Sequence, residues 1–131
     1  MSLLTSVASL LWVYFQDSSG QLREFGMDDY RDTSWHEGSA GPLAKPIPGS
    51  GIAPVRWIND TKEVEEIYFQ SSDKAITGRM YIGTTWQSNI YGIDGTETIP
   101  RQGASISATT VERMNSSMVL LILKGQANPG R

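Results

Sequence analysis

Few side chains in this chain of 131 residues are of the kinds that carry out chemistry. The single histidine, His36, has no second ligand at metal spacing and reads as a surface or turn residue. Cysteine is absent, which excludes disulfides, cysteine-based zinc sites and thiol catalysis while leaving secretion open. Asp28, Asp29 and Asp32 lack the spacing of an EF-hand loop. There is no Gly-x-Ser-x-Gly elbow, no phosphate-cradling loop and no histidine placed to act as base to a serine. Glu24, Asp32 and Glu37 can be nominated as paired carboxylates for glycoside cleavage, but nothing separates them from surface acids. What remains is recognition chemistry: isolated acids, and four tryptophans whose rings either pack or stack on a ligand.

The elements that must hold these residues repeat. Trp12 to Phe25 reads as a β-hairpin: the apolar run Trp12-Val13-Tyr14-Phe15-Gln16, the turn Asp17-Ser18-Ser19-Gly20, then a strand of alternating polarity. The same layout returns 54 residues later from Glu66 to Arg79. Around it we expect strands at Leu3–Ala8, Leu10–Gln16, Gln21–Met27 and from Trp35, then at Ile52–Ile58, Val64–Gln70, Ala75–Gly83 and Trp86–Ile90. Pro54 implies a bulge or an edge position. Gly41 to Gly51, with three prolines, reads as an extended connection, and Ile99–Gly103 as its counterpart. Ser105–Thr110 and Val119–Lys124 open a third copy. No segment shows sustained helical periodicity, although Val111–Met114 could form one turn.

Short antiparallel strands at a period near 54, with a tryptophan in each full unit, point to an all-β fold of β-propeller-like repeats, each a four-stranded antiparallel blade. The alternative is a β-sandwich of about ten strands. The chain divides as one repeat domain over 1–131: blade 1 at 2–48, blade 2 at 49–101, a partial blade 3 at 102–124, and a polar tail at 125–131. Propellers close with about four to eight blades. A homo-oligomer that completes the ring is therefore expected, since an open array exposes apolar faces and strand edges.

The net charge of -3 without a basic cluster argues against duplex nucleic acid and anionic membrane surfaces as partners. The apolar stretch from Leu3 to Phe15 lacks a positively charged start and a small-residue cleavage site, and is too short to span a bilayer. It reads as strand. No signal peptide or transmembrane segment is expected, and localisation is left open between the cytoplasm and a non-standard secretory route. Neither a metal nor a cofactor is expected.

Val13-Tyr14-Phe15-Gln16-Asp17, Gly20, Leu22-Arg23-Glu24 and Trp35 resemble a repeat of the fungal fucose-specific lectins, the Aleuria aurantia lectin type. Ile67-Tyr68-Phe69-Gln70, Ile76 and Trp86 follow the same pattern more loosely. The resemblance implies a six-bladed propeller, or two-bladed chains that assemble as trimers, with a fucose held between adjacent blades. It also implies an Arg on the second strand and a Glu on the third that bind the sugar's oxygens, and a Trp against its apolar face. Carried onto this chain, the first repeat keeps Glu24 and Trp35 and has Trp12 in the Arg position. The second keeps Trp86, with Glu66 and Gly78 in the Arg and Glu positions. The third has Leu120 in the Arg position. Arg23, Arg56 or Arg79 could stand in from elsewhere, although alternation puts Arg23 and Glu24 on opposite faces.

The resulting expectation is a non-catalytic lectin for fucosylated glycans, with Glu24 accepting from sugar hydroxyls, Trp35 stacking on the ring, and Trp86 serving a weaker second pocket. Trp35 and Trp86 read equally well as packing residues; Trp57 and Tyr81 read as packing, and Trp12 as filling its pocket. Lys62-Glu63-Val64-Glu65-Glu66 reads as a solvated strand start. The competing expectation is a degenerate repeat acting as a structural or protein-interaction module, which the missing Arg favours.

Overall fold

The apolar runs that end in Gln16 and Gln70 become the second strands of two four-stranded sheets. In each, the alternation of the run decides which side chains enter the core. The computed structural model describes residues 2–5, 11–27, 35–38, 41–92, 100–113 and 116–126. The first sheet is an antiparallel meander of β1 (Ser2–Thr5), β2 (Leu11–Gln16), β3 (Leu22–Met27) and β4 (His36–Glu37). The second repeats it with β5 (Ile52–Asn59), β6 (Lys62–Gln70), β7 (Ile76–Ile82) and β8 (Thr85–Gly92). The strands β9 (Pro100–Arg113) and β10 (Ser116–Gln126) form a third, two-stranded sheet.

Register assigns the faces. Tyr14 lies opposite Glu24 and Trp12 opposite Gly26, so these four share the face turned to the second sheet. Ile67 lies opposite Pro54 and Arg79, and Phe69 opposite Ile52 and Thr77, giving the second sheet's answering face. Between the two sits a core of Tyr14, Leu22, Leu43, Ile67 and Phe69, flanked by Trp12, Ala44, Ile52 and Trp86. Each large apolar side chain buried there stabilises the fold by about 1.5–3 kcal/mol. The far face of the second sheet packs Ala53, Val55, Tyr68 and Ile76 on Ile106.

Pro54 takes the edge position, one of its two expected placements: β5 is an edge strand in regular pairing, so the missing N–H faces no neighbouring strand. Several other expectations need correction. Pro100 to Gly103 belongs to β9 rather than to a connection, and Val111 to Arg113 continues that strand instead of turning into helix. The last strand runs to Gln126, beyond the expected start of the tail. Glu65 and Glu66 are not solvated: they are 7% and 6% exposed, because β6 is an inner strand covered on both faces. The expectations for residues 6–10, 28–34 and Ile99 lie outside the described residues.

One glutamine ties each four-stranded sheet to the segment leading into its neighbour. The Gln16 amide nitrogen lies 3.0–3.2 Å from the carbonyls of Gly20, Pro46 and Ile47, and its Oε1 accepts from Gly49 N–H at 3.1 Å. Gln70 does the same one repeat later, with the carbonyls of Lys74, Pro100 and Arg101 at 2.8–3.1 Å and Gly103 N–H at 3.0 Å. Gly49 and Gly103 both have positive φ, which lets the incoming chain turn its N–H toward the amide.

Replacing Gln70 by Leu removes the partner of three carbonyls and an N–H, with the Pro100 carbonyl buried and the others part-buried. Each unmade bond costs roughly 1 kcal/mol or more. Urea denaturation should show Gln70→Leu destabilised by about 2–4 kcal/mol, with Gln16→Leu milder because Gln16 is only half-buried.

Candidate functional site

The facing sides of the first two sheets bring together a cluster of polar groups beside their apolar core. Glu24 enters it from β3, on the Tyr14 face, and is 7% exposed. Its carboxylate fits because position 38 is glycine: a Cβ there would collide with Glu24 Oε1. The Gly38 N–H also donates to the Glu24 backbone carbonyl at 3.0 Å. From β8 of the second sheet, the Trp86 indole Nε1–H donates to Glu24 Oε1 at 3.2 Å. The Tyr81 ring lies 5.3 Å from that of Trp86 at an interplanar angle of 60°. The Arg79 guanidinium stands 6.0 Å from the Trp86 ring centroid, within reach of a cation–π contact. Below them the Tyr14 hydroxyl donates to Glu65 Oε2 at 3.0 Å.

Burial sets the electrostatics of this cluster. It pushes the Glu24 carboxyl above its ordinary range, opposed by the Trp86 and Tyr14 hydrogen bonds and the charge of Arg79. Glu65 is raised mainly by burial, with the Tyr14 hydrogen bond pulling the other way and the Glu24 charge adding to the rise. Tyr14 is raised far above the ordinary phenol value by burial and by the Glu65 and Glu24 carboxylates. The phenol thus stays a donor at any pH of interest.

The structure sorts the expected site residues differently from their sequence grouping. Glu24 meets Trp86 across the two repeats, whereas Trp35 is 46% exposed and lies just before β4. Trp12 fills space: its ring lies over Gly26, where a Cβ would stand 2.5 Å away, and meets His36 edge-on at 5.8 Å. In the second repeat Glu66 accepts from the Tyr68 hydroxyl at 2.5 Å, and Gly78 leaves the Glu position without a carboxylate. Arg23 points away and pairs with Asp17 and Glu37, and Arg56 pairs with Glu63 at 2.5 Å. Sequence reasoning missed the Tyr14–Glu65 bond. The signal for it was Tyr14 and Glu65 each sitting in a repeated strand with a side chain that cannot be buried unpaired. A separate cavity of about 450 Å³ lies on the other face of the second sheet, lined by Trp57, Asp60, Thr61, Lys62, Val64, Met80 and Ile82.

Comparison with known proteins places this geometry. The sequence profile of the fungal fucose-specific lectin matches residues 2–128. No curated protein sequence matches the chain. Among solved structures, a fucose lectin from Kordia zhangzhouensis in complex with methyl-fucoside superposes with a TM-score of 0.64 at 16% identity, covering 91% of this chain and 80% of that one. The Aleuria aurantia lectin, described as a six-bladed β-propeller with a novel fucose recognition mode, gives 0.69 at 19%, covering 89% and 37%. AofleA of Arthrobotrys oligospora, solved as a triple arginine-to-alanine variant, gives 0.73 at 21%, covering 91% and 32%. The sheets are therefore β-propeller blades, and the chain spans most of the Kordia lectin but about a third of the other two chains.

The buried carboxyls give a pH dependence whose sign follows from linkage. A carboxyl whose pKa is raised on folding contributes its full stability below the unfolded value of 4.5, and that contribution is lost as pH rises through the folded value. Glu24 and Glu65 should therefore make the thermal midpoint fall as pH is raised from about 4.5. Glu65→Gln keeps an acceptor for Tyr14 and should flatten that fall; an unchanged slope in a differential scanning calorimetry series would count against it.

Proposed function

The chain belongs to the fungal fucose-specific lectin family, and on that footing we propose that it binds fucosylated glycans without cleaving them, in the cleft between its first two blades. The observation that carries this is the Glu24–Trp86 pair, a carboxylate and an indole brought together from two repeats at the same cleft. Fucose, a deoxy sugar with a methyl group, offers vicinal hydroxyls on one side and an apolar patch on another. Glu24 accepts from the hydroxyls, and Trp86, backed by Tyr81, receives the apolar face. A buried carboxylate that loses a hydroxyl partner is costly to leave unpaired, which discriminates against rings lacking that hydroxyl.

The blade surfaces support assembly into a closed ring of several copies. Ile67 and Phe69 are 0% and 2% exposed because blade 1 covers them. Their counterparts one repeat earlier, Val13 and Phe15, are only half-buried, with Phe25 packed 5.4 Å from Phe15. A further blade from a second copy would cover that face, and linked copies would raise apparent affinity for clustered glycans. The competing reading, a degenerate scaffold for protein contacts, draws on Trp12 in the family's Arg position.

Titration calorimetry with methyl α-L-fucoside should show binding at millimolar sugar or better. Glu24→Ala and Trp86→Ala, with unchanged far-UV circular dichroism, should each weaken it tenfold or more, about 1.4 kcal/mol. Absence of binding, or equal response to matched glycans lacking fucose, sinks the reading. Light scattering after size exclusion should give a mass at least twice that of one chain, and Phe25→Glu should reduce it. A wild-type monomer at tens of micromolar would remove the ring-closure part.

A further inference from the structure

We propose that Arg79 of the second blade is a ligand-binding residue that supplies the cationic donor for the cleft built around Glu24, replacing an arginine from the first blade's own second strand. This rests on the fucoside reading above. Register puts Arg79 opposite Ile67, on the face turned to the first sheet. Its fork is held by two carbonyls from different segments. Nε–H donates to the Gln87 carbonyl at 2.9 Å, and Nη1 donates to the Leu43 carbonyl of the connection between the sheets. A guanidinium anchored at two of its nitrogens keeps its remaining donors aimed, so little side-chain freedom is lost when a ligand arrives. Among the described residues nothing takes the Nη2 donors.

The relation to Glu24 makes this more than a structural arginine. The Arg79 charge acts on the Glu24 carboxyl and opposes its upward shift. Yet the two form no ion pair within 4.0 Å, although shorter pairs form at Arg23 and Arg56. A carboxylate and a guanidinium thus share a cleft with Trp86 beside both, without closing on each other. That spacing suits a hydroxyl group. One sugar hydroxyl can donate its hydrogen to Glu24 while its lone pairs accept from Arg79 Nη2, so the two charged groups read both capacities of the same oxygen. Trp12 has no part in this and can remain a packing residue.

The test compares wild type, Arg79→Met and Arg79→Lys by titration calorimetry against methyl α-L-fucoside and its 2-, 3- and 4-deoxy analogues. Arg79→Met should lose tenfold or more in affinity, and Arg79→Lys should recover part of it. At one hydroxyl position, the deoxy penalty seen in wild type should shrink in Arg79→Met, because the Arg79 half of that hydroxyl's pairing is already gone and only the Glu24 half remains. A residue that merely holds the cleft together would lower affinity for every analogue alike and leave each penalty in place, which would overturn the proposal. Unchanged affinity in Arg79→Met would overturn it too, with the fucoside reading intact. Failure of the wild type itself to bind would overturn both. Should Arg79→Met unfold, Arg79→Lys decides the matter with the same analogue series: a reduced penalty at one hydroxyl supports the role, and penalties equal to those of wild type overturn it.

Discussion

The structure depends on a glutamine amide at the end of the first strand of each repeated hairpin, half-buried at Gln16 and buried at Gln70. Gln16 and Gln70 each gather carbonyls from their own turn and from the chain entering the next sheet, at sequence distances of 4, 30 and 31. Each also receives an N–H from a positive-φ glycine 33 residues on. An amide is suited to this because it carries donors and an acceptor at one tip, and no apolar residue could satisfy the same groups. The bond set fixes how far the connecting segment extends before the next sheet begins, and so fixes the spacing between blades. The apolar faces then pack at that spacing, with Glu24 and Trp86 brought together between them.

The cleft itself is a balance of burial against pairing. Glu24 and Glu65 are desolvated on a face that otherwise holds apolar and aromatic side chains, and each is held by a neutral donor: an indole N–H for Glu24 and a phenol for Glu65. Neutral donors satisfy a carboxylate without quenching its charge, so Glu24 keeps acceptor capacity for a ligand. The second repeat shows the alternative. There Glu66 is tied to the phenol of its own strand, Tyr68, and Gly78 offers nothing in place of Glu24. The two clefts therefore differ in chemistry although the strands that frame them repeat.

The fold was largely legible because period-2 alternation and the Tyr-Phe-Gln run announce themselves twice. The errors came where local signals mislead. Proline and glycine at 100–103 marked an apparent connection, yet an edge strand tolerates a proline, and β9 starts there. The charged run at 62–66 looked solvated, but its place in an inner strand buries Glu65 and Glu66. The residues of the candidate site were legible one by one and not in their grouping. Glu24 and Trp86 both stood out, yet lie 62 residues apart and belong to different repeats. A reading that seeks a complete set within one repeat pairs Glu24 with Trp35, and passes over Arg79, whose place opposite Ile67 only the sheet register reveals.

The central claim is that the cleft between the first two blades holds a fucoside. A crystal structure of the protein grown with saturating methyl α-L-fucoside tests it most directly. The account predicts one sugar between these blades, with a ring hydroxyl within hydrogen-bond distance of the Glu24 carboxylate and its apolar face on Trp86. A sugar bound elsewhere on the blades, or an empty cleft with Glu24 and Trp86 still paired as they are here, would contradict it.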